Sequence, residues 1–238
     1  MSRSLESPWW TFWEQRGSVY PVMDPIKLDG FDHECGRITP FTLEKLISKI
    51  QGLLELSAED KLLEVGCGAG MLLRLLSKYC NVYGCDISSS LLKVCGEFLP
   101  NAMLLQCHAN SIPLKDHSFD IILCHSVFQY FPDFQYVQET LDEFVRLANT
   151  RGIILIMDIP DIEKSEAILN HRALVKTSSK HKDESRLEHL FYPKSFFSSY
   201  CLARNLRYKI FEQDLEEYQN SVFRFNVSMN LGVRGEVV

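Results

Sequence analysis

The sequence predicts an α/β fold, a doubly wound and mostly parallel sheet with helices on both faces. Three observations lead there. From Lys61 onward, short apolar runs of strand length alternate with runs of helical spacing. A glycine-rich turn, Gly66-Cys67-Gly68-Ala69-Gly70, joins the first apolar run to its helix. A lone acid, Asp86, closes the second run about twenty residues later, the offset at which such folds place a ribose-binding acid.

Residues 1–38 form an aromatic-rich N-terminal segment with Trp9, Trp10, Phe12, Trp13 and Tyr20. Two readings stand for it, a lid over the site or ordinary packing against the sheet. Thr39 is a predicted N-cap and Pro40 the first position of a helix. Leu43, Leu46, Ile47, Ile50, Leu53 and Leu54 give that helix one apolar face. Strands are expected over 61–65, 82–85, 103–106, 119–124 and 153–158. Helices are expected over 71–79, 88–98 and 134–148. The 153–158 strand is apolar throughout, as a strand buried on both faces should be. Residues 39–160 thus form the core. Residues 161–190 are polar and charged and read as an inserted cap or flap. Residues 191–238 add a helix over 193–204 and strands over 207–213 and 222–229, completing the same domain. The acidic Asp214-Leu215-Glu216-Glu217 between those strands reads as a polar turn.

The 238 residues suffice for one large domain. Apolar residues make up 46% and charged residues 24%, an ordinary globular profile. No apolar run approaches the ~20 residues that span a bilayer, so no membrane partner is expected. Met1 to Pro8 lack the layout of a secretory leader. The net charge is −6 and basic residues are not clustered, which argues against nucleic acid as the partner. The eight cysteines (35, 67, 80, 85, 95, 107, 124 and 201) contain no C-x-x-C, so no metal site is expected. They read as reduced thiols packed as small apolar groups in a cytoplasmic protein.

The glycine turn decides the ligand class. A dinucleotide fingerprint is G-x-G-x-x-G. Gly66 and Gly68 begin it, but Met71 stands at its third glycine, and the third glycine here is Gly70. Glu64 precedes the turn, and a carboxylate there repels a pyrophosphate and suits a ligand with ammonium and sulfonium charges. This arrangement resembles motif I of the class I S-adenosylmethionine-dependent methyltransferases, with Asp86 where that family keeps its ribose-binding acid. The likeness runs from about Thr39 to Met229, specific in its first half and architectural in its second. It implies a Rossmann-like, seven-stranded sheet ending in an antiparallel β-hairpin, and S-adenosylmethionine as cofactor. It also implies cofactor contacts from Glu64, Gly66, Cys67, Gly68, Gly70, Asp86, Ile87, His108, Ala109 and His125.

Two further segments carry the resemblance. His108-Ala109-Asn110-Ser111-Ile112-Pro113-Leu114 is similar to the family's Asp-Ala-x-x-Leu-Pro-Phe, with His108 in place of the acid. Either a neutral His108 accepts the adenine amino group's hydrogen bond, or His108 faces solvent and the Ala109 backbone binds the ring. Asn110 is a third candidate contact. The stretch Phe119 to Asp133 looks like the family's segment after the fourth strand, with Gln129 where many members have His. His125 lies just past that strand, as a cofactor contact, a catalytic base or a structural residue. Candidate bases are His33, His125, His171 and His189. The resemblance implies methyl transfer to a small-molecule acceptor, expected at oxygen. Methylation of protein or RNA is the enzymatic alternative. The departures at His108 and Gln129 also admit a non-catalytic binding protein on the same fold.

Overall fold

The strands are Lys61–Val65 (β1), Asn81–Asp86 (β2), Met103–Gln106 (β3), Phe119–His125 (β4), Ala148–Pro160 (β5), Arg207–Glu212 (β6) and Arg224–Asn230 (β7). The helices are Pro8–Val19 (α1), Pro25–Leu28 (α2), Pro40–Leu54 (α3), Leu73–Leu76 (α4), Ser89–Phe98 (α5), Phe134–Leu147 (α6), Ser165–Lys176 (α7) and Lys194–Ala203 (α8). They come from a computed structural model that describes residues 8–19, 24–31, 36–176 and 188–232. Tyr20, His33, Cys35 and residues 177–187 of the expected insert lie outside the described residues.

All seven strands share one sheet, ordered β3-β2-β1-β4-β5-β7-β6. β1 pairs in parallel with β2 and β4, β2 with β3, and β4 with β5. β7 runs antiparallel between β5 and β6. This is the α/β, doubly wound and mostly parallel sheet that the sequence predicts, with its C-terminal antiparallel hairpin. The chain builds outward from β1 to β3, then crosses back to lay β4 on β1's other side. That reversal opens a crevice beyond the carboxyl ends of β1 and β4.

Alternation along the strands supplies both faces of the core. Leu62, Ile121, Leu123, Leu155 and Met157 meet the apolar face of α3 through Leu46, Ile50 and Leu54. Leu63, Val65, Ile122, Cys124, Ile154 and Ile156 meet Val137, Leu141 and Phe144 of α6. Thr39 caps α3 by accepting from the Thr42 N–H at 3.1 Å, with Pro40 at the first position.

Two elements differ from their sequence expectation. The helix expected over 71–79 is helical only at Leu73–Leu76, because the chain tightens out of it through the Tyr79 N–H to the Leu76 carbonyl. Its apolar residues Met71, Leu72, Leu73 and Leu76 are buried all the same. β5 is thirteen residues long. Its start pairs with Phe119 across a register shift, and its end pairs with β7. Beyond β5, the polar segment after Pro160 holds α7.

Candidate functional site

A cavity of about 600 Å³ opens at the crevice, lined from the tips of β1, β2 and β4, the segment after β3 and the N-terminal helices. Its floor is the glycine turn. Gly66 (φ +78°) and Gly68 (φ +52°) take left-handed backbone that side chains rarely adopt. A Cβ on Gly66 would lie 2.3 Å from Val127, and one on Gly68 would lie 2.2 Å from Asp29 Oδ1. Both glycines line the cavity together with Cys67. Gly70 (φ +86°) is not among the lining residues; a Cβ there would meet Cys95 Sγ at 2.6 Å, so it serves the turn's packing.

Three carboxylates face this floor. Asp86 accepts the Gly68 N–H at 2.9 Å and the Ser88 N–H at 2.8 Å. Each of its oxygens keeps a lone pair for a further donor. Burial pushes its carboxyl up, against the pull of those amides. Glu64 is 3% exposed, and its Oε2 is buried without a hydrogen-bond partner. Burial first, then the neighbouring Asp29, push it well above the usual carboxylate range. Asp29 accepts from the Ala69 N–H at 2.6 Å and the Met71 N–H at 3.0 Å. Burial pushes it up to about 7, with Asp86 adding to the rise and the two amides and Arg16 opposing it.

Helix α1 is tied to the same floor. Glu14 accepts from the Ser89 hydroxyl at 2.7 Å and the Ser88 hydroxyl at 2.9 Å, at the N-terminus of α5. Arg16 Nε donates to the Leu28 carbonyl at 3.1 Å, holding α1 against α2.

One end of the cavity is walled by Ile87, Cys107, His108, Ala109 and Asn110. Burial lowers the His108 pKa, which keeps that ring neutral at neutral pH. The Asn110 amide donates to Glu139 Oε2 at 2.8 Å. The other end is aromatic. Trp9 packs on Tyr130 with ring centres 4.6 Å apart, Trp13 on Tyr130 at 5.2 Å, and Phe31 on His125 at 5.8 Å. Trp9, Trp10 and Trp13 all line the cavity.

His125 is buried, and its Nε2 has no hydrogen-bond partner. Burial lowers its pKa; Asp158 works against that fall and Arg224 adds to it. Ser126 and Asp158 follow it at the strand tips with φ of +58° and +62°, uncommon values for side-chain-bearing residues that cluster at sites. Asp158 Oδ2 accepts from Ser126 Oγ at 2.7 Å and from the Tyr218 hydroxyl at 3.0 Å. Gln129, where the resembled family often has His, is buried and donates to the Ser126 carbonyl at 2.8 Å. It braces the turn and faces inward.

Of the four histidines considered as bases, His125 lines the cavity. His171 sits on α7, 5.7 Å from the Phe223 ring, and His189 stacks on Trp9 at 5.0 Å beside the cavity; neither is among the lining residues. His33 lies outside the described residues. Sequence reasoning missed Asp29 and Tyr130. Asp29-Gly30 reads locally as a helix-ending turn, and nothing in it points to a loop forty residues away. Among the described lining residues, the charged side chains are Asp29, Glu64, Asp86 and Asp133; no Lys or Arg lines the cavity.

These residues fit the donor that the motif implies. The two turn glycines keep bare backbone at the cavity floor, with Val127 and Asp29 packed where a Cβ would stand, and the unpartnered Glu64 oxygen suits a cationic group. Residues 63–156 match the sequence model of a family described as a methyltransferase domain. The chain is 30% identical over 141 residues to the uncharacterized methyltransferase YcgJ of Bacillus subtilis, covering 56% of this chain and 54% of that protein. It is 28% identical over 119 residues to the ubiquinone/menaquinone biosynthesis C-methyltransferase UbiE of Campylobacter jejuni, covering 47% and 49%. The match thus spans about half the length of these curated relatives. In fold, it is similar to the geranyl diphosphate C-methyltransferase of Streptomyces coelicolor, solved with S-adenosyl-L-homocysteine, at a TM-score of 0.61 and 12% identity over 96% of this chain and 100% of that one. No helix among the described residues is long and apolar enough to cross a membrane. Residues 63–156 thus carry the likeness to a methyltransferase domain, and the glycine turn and sheet order are those of the class I, S-adenosylmethionine-dependent fold.

Proposed function

We propose that the protein transfers a methyl group from S-adenosylmethionine to a small, uncharged or cationic acceptor held against the aromatic wall. One observation carries this reading: a single cavity of about 600 Å³ runs from the glycine turn to that wall, with acids as its only charged side chains among the described lining residues. Drug-sized ligands fill pockets of roughly 300–1,000 Å³, so donor and acceptor together leave the acceptor a small share. A phosphorylated acceptor would meet no Lys or Arg among the described lining residues.

When bound, the donor supplies an activated methyl on a sulfonium leaving group. The chain's own residues position the partners and manage one proton. Asp86 accepts hydrogen bonds from the ribose hydroxyls through the lone pairs left by Gly68 and Ser88. Glu64 sets a negative charge at the positively charged end, and Gly66, Cys67 and Gly68 give that end a close floor. Ile87, His108 and Ala109 wall the adenine. Ring walls at Trp9, Trp13, Tyr130 and Phe31 exclude water and align the acceptor, which alone supplies several kcal/mol of a displacement barrier. For an oxygen acceptor, His125 Nε2 takes the departing proton; its lowered pKa keeps it neutral and able to accept.

Measuring S-adenosylhomocysteine formation over phenols, alcohols and amines, beside their phosphorylated forms and RNA, tests the reading. Turnover confined to phosphorylated or polynucleotide acceptors would overturn it. Donor binding without turnover on any acceptor would favour the non-catalytic alternative.

A further inference from the structure

We propose that Asp29, delivered by the N-terminal segment, is a donor-binding residue whose carboxylate takes the ammonium at the donor's amino-acid end. This rests on the donor reading above. With the ribose on Asp86 and the adenine among Ile87, His108 and Ala109, the adenosine lies toward β2 and β3. The amino-acid end then points back toward β1 and β4, where Glu64, Gly66 and Asp29 line the cavity.

Asp29 is built for more than capping a turn. Its two oxygens accept the Ala69 and Met71 amides at 2.6 and 3.0 Å, and each retains a lone pair. Those amides fix the carboxylate against the floor, where Oδ1 occupies the space a Cβ on Gly68 would need. A neutral cap would satisfy the same N–H groups without repulsion. Instead, Asp29, Glu64 and Asp86 face one floor, with Asp133 also lining the cavity and no lining Lys or Arg among the described residues, an arrangement that a bound cation relieves. The acid arrives from a segment outside the matched residues 63–156.

Calorimetry with two ligands separates this role from a structural one. S-Adenosylhomocysteine carries the ammonium; 5′-methylthioadenosine shares the adenosine and lacks the amino-acid end. Asp29→Asn should weaken S-adenosylhomocysteine about ten- to a hundredfold, the size of a charge-assisted hydrogen bond. It should leave 5′-methylthioadenosine within about twofold. Equal weakening of both ligands would show a turn cap only and overturn the proposal, as would no weakening of either. If the variant does not fold, wild-type protein with the deaminated analogue of S-adenosylhomocysteine replaces it. The same selective loss is expected, and equal affinity would overturn the proposal. Wild-type protein that binds neither adenosine ligand would instead sink the donor reading itself.

Discussion

The two ends of the cavity are made in opposite ways. The donor end is polar and rests on backbone amides gathered by acids: Gly68 and Ser88 on Asp86, Ala69 and Met71 on Asp29. The acceptor end is a wall of rings from three distant stretches, Trp9 and Trp13, Phe31, and His125 with Tyr130. Backbone amides hold their positions whatever the neighbouring side chains, so the donor end tolerates sequence change around a few fixed residues. Ring walls consist of side chains alone, so the acceptor end can be remodelled by a few substitutions without touching the donor. One fold serves many acceptors through that division.

Substitutions at each end should therefore act on different constants. The largest effect belongs to the acceptor end. His125→Gln should lower kcat on an oxygen acceptor by about 100- to 10,000-fold, the range for a lost general base, with S-adenosylhomocysteine binding unchanged by calorimetry. Unchanged kcat would leave His125 as a packing residue. In the wild-type protein, the depressed His125 pKa places the acid limb of the kcat profile below the ordinary imidazole value of about 6.5. At the donor end, Asp86→Ala should weaken S-adenosylhomocysteine by about a hundredfold, since it removes ribose bonds and frees the Gly68 and Ser88 amides. Full affinity in that variant would remove the ribose assignment. The smallest effect is expected from Trp9→Ala. Loss of one ring pair, worth about 0.5–1.5 kcal/mol, should raise the acceptor KM roughly two- to tenfold and leave donor affinity alone. A matching loss of donor affinity would blur the division between the ends.

The same division explains what the sequence made legible. Glu64, Gly66, Gly68 and Asp86 were readable because a strand, a turn and the next strand tip lie close together in the chain and demand particular residue types. The sheet was readable because short apolar runs alternate with helical spacing, and the apolar run of β5 is one that two-faced burial explains. α4 was overread, since buried leucines at helical spacing also suit a single turn that must bend promptly into β2. Asp29, Tyr130 and the Ser126–Asp158 pair carry no local signal of their own. Their roles come from contacts with residues dozens of positions away, and a neutral-looking Gln129 acquires its place only beside Ser126.

Burying three acids beside one cavity gives each a share in how the donor-free protein responds to pH. In the folded chain the Asp29 carboxyl sits at about 7, against an ordinary value of 3.8. Between those values the folded chain holds a proton that the unfolded chain has released, so stability falls as pH rises through that window. Glu64 and Asp86 are displaced in the same direction and steepen the fall. The Asp29 contribution should therefore be lost between about pH 5 and pH 7.5, while the lowered His108 and His125 act in the opposite sense below about 6.5, so the unfolding temperature of donor-free protein should fall more steeply, or rise less, with pH than that of Asp29→Asn. Asp29 thus favours the donor-free chain in mildly acidic buffer, and a cation bound in the cavity would move that preference toward neutrality.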